Sequence, residues 1–111
     1  MNIKNKTVEI TLGGKKFRMK FDFETIANIQ MELKKKGLAY KFTDIFKGVE
    51  EQDFSVIIPV IVHAIKRVHP QVETSSIKDL LTLDESDNMI NSLVELIDVS
   101  MPKGNGEAKK K

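Results

Sequence analysis

The fold of this chain is decided by the stretch VEITLGGKKFRMKFDFETIANIQMELKKKG, residues 8–37. Apolar and polar residues alternate on both sides of Gly13-Gly14, which is the pattern of two half-buried strands. A two-residue Gly-Gly loop favours a tight hairpin, because glycine takes positive φ angles without a Cβ clash. The stretch therefore predicts an antiparallel β-hairpin with its apolar side chains on one face. The expected facing pairs are Val8 with Met19, Ile10 with Phe17, and Leu12 with Lys15.

A helix is predicted directly after the hairpin. Asp22 can cap its first turn, and we expect it to run to about Lys36 and to stop at Gly37. A lone hairpin is not stable in water, so this helix is the expected cover for the apolar face of the hairpin. The stripe of this helix is defined by Ile26, Ile29, Gln30 and Leu33.

The centre of the sequence is a long predicted helix, from about Phe54 to Val68. Its apolar residues repeat at helical spacing, and further apolar residues between them leave almost no polar face. Pro59 argues against a central strand, because proline lacks the N–H that such a strand needs. A short helix is expected before it, with Thr43 as its cap and Ile45, Phe46 and Val49 on its apolar side.

Two more helices are predicted in the last third of the chain. Ser75 or Ser76 can cap a short helix, and Asp84 can cap a final one that stops at Pro102. The apolar stripe of the final helix comprises Ile90, Leu93, Val94 and Ile97, with Met89 and Leu96 on its edges.

The order of these elements predicts an α+β fold. We expect an N-terminal two-stranded antiparallel β-hairpin packed on a bundle of about four to five helices, in a single domain that covers residues 1–102. Residues 103–111, KGNGEAKKK, offer almost nothing to bury and are predicted to form a disordered basic tail.

Composition and charge disfavour several kinds of partner. The net charge is +2, but residues 103–111 carry four Lys and one Glu, so the rest of the chain holds 14 basic and 15 acidic side chains. A near-neutral body argues against nucleic acid as the main partner. The longest apolar stretch, residues 56–65, is too short for a bilayer, and the N-terminus lacks the apolar run of a signal peptide. We therefore expect a cytoplasmic protein with no membrane partner.

No arrangement of side chains points to catalysis or to a cofactor. His63 and His69 lie six residues apart, which does not place them on one helix face for a metal, and we interpret both as structural. Gly13-Gly14 is followed by a strand rather than by a helix, so it does not form a phosphate-binding loop. We expect no enzymatic activity, no metal ion and no cofactor.

The apolar central helix leaves two interpretations open. Either the hairpin and the other helices wrap it completely, or part of its surface meets another protein. A chain of 111 residues offers few layers for complete wrapping.

The order of motifs resembles a known family. A strand–LGGK–strand hairpin is followed by FDFETIANIQMEL, a short helix, a helix ending near HP, the segment SSIKDLL, a final helix, and MP with a charged tail. Over about residues 7–101 this order is similar to that of the small tail assembly chaperones of long-tailed bacteriophages, including relatives in gene transfer agents and prophages. The chain departs from the family pattern at Glu32, an acidic residue displaced from its common place, and we assign it no function.

The resemblance implies a function that needs no reactive group. Chaperones of this family coat the long, helical, aggregation-prone tape measure protein until the tail tube polymerises around it. The resemblance therefore implies the tape measure protein as partner in the bacterial host cytoplasm, with the major tail protein and self-association as further expectations. The residues that we predict to bind the partner are Val56, Ile58, Val62, Met89 and Leu96.

Two other functions stay open. A structural tail component, of the tube or terminator type, would need extended strands that form a ring, and this chain offers one hairpin. A small nucleic-acid-binding regulator is the second alternative, which the near-neutral body disfavours.

Overall fold

The N-terminal hairpin has the predicted register. The structure, a computed structural model that describes residues 6–101, places strand β1 at Val8–Leu12 and strand β2 at Lys15–Met19. Gly13 and Gly14 have φ angles of 57° and 83°, which the tight turn requires. The facing pairs are Val8 with Met19, Ile10 with Phe17, and Leu12 with Lys15. The prediction of the hairpin and of its pairing is confirmed.

Helix α1 spans Phe23–Lys35 and has the predicted ends. At its start, the Asp22 carboxylate accepts a hydrogen bond from the backbone N–H of Thr25, with the two atoms 3.0 Å apart. At its end, Gly37 takes a φ of 75°, the left-handed conformation that commonly terminates a helix.

Helix α2 spans Phe42–Glu50 and helix α3 spans Phe54–Val68, the latter with the predicted bounds. The expected cap of α2, Thr43, is wrong, because the helix starts one residue before it. Lys41 is the N-cap residue, and the Asp44 carboxylate accepts a hydrogen bond from its backbone N–H.

Helix α4 spans Thr74–Asp79, and helix α5 spans Ser86–Ser100 after a turn of 3₁₀-helix at Leu83–Glu85. Both expected caps are wrong. Helix α4 follows Glu73, so the two candidate serines lie inside it, and Asp84 lies within the 3₁₀ turn. The segments before α4 and α5 each contain several adjacent residues that can cap a helix. The local sequence pattern does not determine which of them is the cap.

The buried face of helix α5 is rotated relative to the predicted stripe, of which Leu93 is buried and Ile90 and Ile97 are half-buried against the core. Its buried apolar residues are Met89, Leu93 and Leu96, whereas Val94 is exposed. The apolar residues of this helix cover two adjacent faces, and its packing against β1 and α3 selects the face that includes Met89.

Helix α3 occupies the centre of the molecule. It packs against β2 and against α1, α2, α4 and α5. The hairpin lies on α3 and α5, so the expectation that α1 covers it is wrong. A helix that is apolar nearly all round needs neighbours on several sides, and the hairpin supplies one of them.

The predicted fold class is confirmed. The described residues form an α+β fold, with a two-stranded antiparallel hairpin and five α-helices around one apolar core. The predicted basic tail, residues 103–111, lies outside the described residues.

Candidate functional site: a protein-binding surface

Four of the five residues predicted to bind a partner lie inside the fold. Val56, Val62, Met89 and Leu96 expose 6%, 2%, 2% and 0% of their surface, so the prediction that they are exposed is wrong. Ile58 is half-buried. Of the five, Ile58 is therefore the residue that a partner can reach.

The chain wraps α3 more completely than its length suggested. Val56 packs against Gly48, where the missing side chain lets α2 approach α3 closely. Met89 and Leu96 belong to the buried face of α5. Gly48 lets α2 pack closely on one side of α3, and the hairpin covers another side. The length of the chain did not predict this coverage.

An open apolar groove remains around Ile58, with a volume of about 310 Å³. It lies where the segment after α1, the first turns of α3 and the end of α4 meet. We call it the Ile58 groove. Its apolar lining comprises Leu38, Phe54, Ile58, Pro59 and Leu81, and its polar lining comprises Lys36, Ser55 and Lys78.

Most of this groove was not predicted from the sequence. Phe54 and Ile58 lie four residues apart on α3, and this spacing could have placed them on one face. Leu38 follows the glycine that ends α1, and Leu81 lies beyond the end of α4. No local pattern joins these two leucines to α3, so only the folded chain brings them together.

Lys36 is held at the groove by an ionic network. Its Nζ lies 2.8 Å from Glu32 Oε2, and Glu32 Oε1 lies 2.7 Å from His63 Nε2. Burial by itself would raise the pKa of Glu32, but the hydrogen bonds from Lys36 and His63 outweigh burial and lower this pKa below its ordinary value. Glu32, to which the sequence pattern gave no function, thus ties α1 to α3 through His63.

A second ion pair ties the start of α1 to the end of α3. Arg67 Nε and Nη2 lie 3.1 Å and 2.9 Å from Asp22 Oδ2. Burial by itself would raise the pKa of Asp22, but hydrogen bonds from the Thr25 N–H and from Arg67 lower it below its ordinary value. The two ion pairs attach α1 to α3 near both ends of α1. They thereby position Lys36 and Leu38, the residues after α1 that line one side of the Ile58 groove.

A second open groove, of about 320 Å³, lies between α2 and α5. We call it the Val94 groove. It contains part of the α5 stripe that the sequence predicted to be buried, and Val94 is 54% exposed there. Its apolar lining comprises Phe46, Val49, Val94 and Ile97, and its acidic lining comprises Glu50 and Asp98.

Helix α1 presents an exposed apolar side chain beside two lysines. Met31 is 68% exposed, and Lys34 and Lys35 follow it at the i+3 and i+4 positions of the same helix face. Lys34 Nζ lies 5.3 Å from the centre of the Tyr40 ring, a cation–π contact. We call Met31, Lys34, Lys35 and Tyr40 the α1 outer face.

Two other kinds of site are absent from residues 6–101. No group of three or more His, Cys, Asp or Glu side chains in this range is arranged to hold a metal ion. No helix in the same range combines the length and the apolar character that a membrane crossing requires. What these residues do offer is two apolar grooves with lining charges of opposite sign.

No protein-family model, no curated protein and no solved structure matches this chain.

Proposed function

We propose that this protein is a tail assembly chaperone of a long-tailed bacteriophage, which binds the tape measure protein and keeps it soluble in the host cytoplasm. The order of sequence motifs from the hairpin to the last helix supports the proposal. The Ile58 groove supports it independently, because it gives an apolar client a place to bind. The major tail protein is proposed as a further partner.

The Ile58 groove is the observation that carries the proposal. Five apolar side chains line it, and the half-buried Ile58 is among them. An amphipathic helix that lies in such a groove buries its apolar stripe, which is a common mode of helix recognition. Burial of that stripe removes the surface through which a helical client would aggregate.

The proposed client-binding surface includes only one of the five residues that the sequence predicted to bind a partner. Val56, Val62, Met89 and Leu96 are core residues and are not proposed as contacts. A charged residue at Val62 would lie in an apolar interior without a partner, so Val62→Asp is expected to unfold the protein.

Co-expression with a tape measure protein tests the proposal. Ile58→Asp places a carboxylate against the apolar stripe of the client, which costs more than about 1.4 kcal/mol and lowers the soluble fraction of the client about tenfold. The matched control is Leu83→Asp, the same kind of change at a residue that is 91% exposed and lies in neither groove. The measurement is the amount of tape measure protein in the soluble fraction.

A second variant separates loss of binding from loss of folding. Ser55 is exposed and lines the groove, so Ser55→Tyr fills the groove without removing a core side chain. We expect a folded protein that no longer keeps the client soluble. If the folded Ser55→Tyr and Ile58→Asp variants keep the client as soluble as the wild-type chain does, the Ile58 groove is not the client site.

A further inference from the structure

The α1 outer face is a cationic surface that the proposed function does not use. Met31 is its exposed apolar side chain, and Lys34 and Lys35 lie beside it on the same face. Among the described residues, neither lysine takes part in an ion pair. The face therefore combines a protruding apolar side chain, an aromatic ring and two positive charges.

The Val94 groove has the complementary character. It is a concave apolar surface between α2 and α5, and two carboxylates, those of Glu50 and Asp98, line it. Within residues 6–101, Glu50 forms no ion pair. A ligand that suits this groove carries an apolar side chain with positive charges next to it.

We propose that the α1 outer face of one copy of this chain docks into the Val94 groove of a second copy. Met31 enters the apolar part of the groove, and Lys34 and Lys35 lie against the carboxylate of Glu50. Two Val94 grooves cannot fill each other, because both are concave and both are acidic. Charge and shape therefore favour contact between unlike surfaces of the two copies.

The proposed contact is head to tail. Helix α1 packs mainly on α3, whereas the Val94 groove lies between α2 and α5, so each copy can use both surfaces at once. Repetition of such a contact builds a ring if the rotation closes and a filament if it does not. No residue of the proposed contact between copies lines the Ile58 groove. Self-association therefore leaves this groove open for the client.

Sedimentation of the full-length chain tests the proposal. We expect the average mass to rise between about 1 µM and about 1 mM protein at low salt, and the rise to weaken at high salt. Lys34→Glu/Lys35→Glu is expected to abolish the rise. The matched control is Lys15→Glu/Lys16→Glu, the same change of charge at two exposed lysines of β2. Met31→Gln, which changes no charge, is expected to weaken association about tenfold.

A charge exchange between two variants makes the test specific. Glu50→Lys alone is expected to stay monomeric, because its groove then repels the lysines of α1. A mixture of Glu50→Lys with Lys34→Glu/Lys35→Glu is expected to associate, since the glutamates introduced on α1 of one variant meet the lysine introduced in the groove of the other. Circular dichroism establishes that each variant is folded. A wild-type chain that stays monomeric throughout, or variants that associate as the wild type does, would overturn the proposal.

Discussion

At the scale of single residues, Asp22 connects local structure to tertiary structure. Its carboxylate caps α1 by accepting hydrogen bonds from the backbone N–H and the hydroxyl of Thr25. The same carboxylate pairs with Arg67 at the end of α3. One side chain thus sets where α1 begins and attaches that start to the central helix.

Asp22→Asn separates these two roles, because asparagine also caps helices well. We expect the free energy of unfolding to fall by about 0.5–1 kcal/mol at neutral pH, since the lost ion pair is partly exposed. The pKa of Asp22 is lowered in the folded state, so the charged carboxylate stabilises the fold above its ordinary pKa of 3.8. The difference between variant and wild type should vanish as the pH falls through the lowered pKa.

Urea unfolding over a series of pH values measures this difference. Asp79→Asn is the control, because Asp79 is exposed and no ion pair involves it among the described residues. A difference for Asp22→Asn that persists unchanged in strong acid would show that its ion pair with Arg67 is not the cause.

At the scale of elements, the contact between α2 and α3 explains why α3 is so well covered. A Cβ atom on Gly48 would lie 2.7 Å from the Cβ of Val56, closer than such atoms pack. The bare backbone at Gly48 therefore lets the two helices meet at Val56. This contact buries a residue that the sequence pattern had placed at the surface.

Gly48→Ala is expected to lower the free energy of unfolding by about 1–3 kcal/mol, because the added methyl group overpacks the contact with Val56. Helix propensity alone predicts the opposite sign, a gain of up to about 1 kcal/mol for alanine over glycine. Urea unfolding distinguishes the two. Asn91→Ala, at an exposed position of α5, is the control and should stabilise slightly.

A double-mutant cycle locates the clash. Because the new methyl group meets the Val56 side chain, Gly48→Ala should cost less in a Val56→Ala background than in the wild type. Equal costs in both backgrounds would place the strain elsewhere.

At the scale of the whole molecule, residues 6–101 surround one apolar helix, and two open grooves lie on their surface. The Ile58 groove is lined by lysines and the Val94 groove by carboxylates. The two proposed contacts therefore take partners of opposite charge.

The sequence predicts the local features of this molecule and misses those that depend on distant segments. The register of the hairpin follows from alternation around Gly13-Gly14, and the end of α1 follows from Gly37. The burial of Val62 and the convergence of Leu38 and Leu81 on α3 depend on packing between elements. Helical periodicity identifies an apolar face but does not say which neighbour covers it.

Client binding in the Ile58 groove is tested most directly by a nuclear magnetic resonance titration. The isotope-labelled full-length chain is titrated with helical segments of a tape measure protein. If the client binds in the Ile58 groove, the amide signals of Leu38, Ile58 and Leu81 shift together and reach saturation. If no segment shifts these signals, or if the shifts cluster on another surface of the folded chain, the claim that this groove holds the client is wrong.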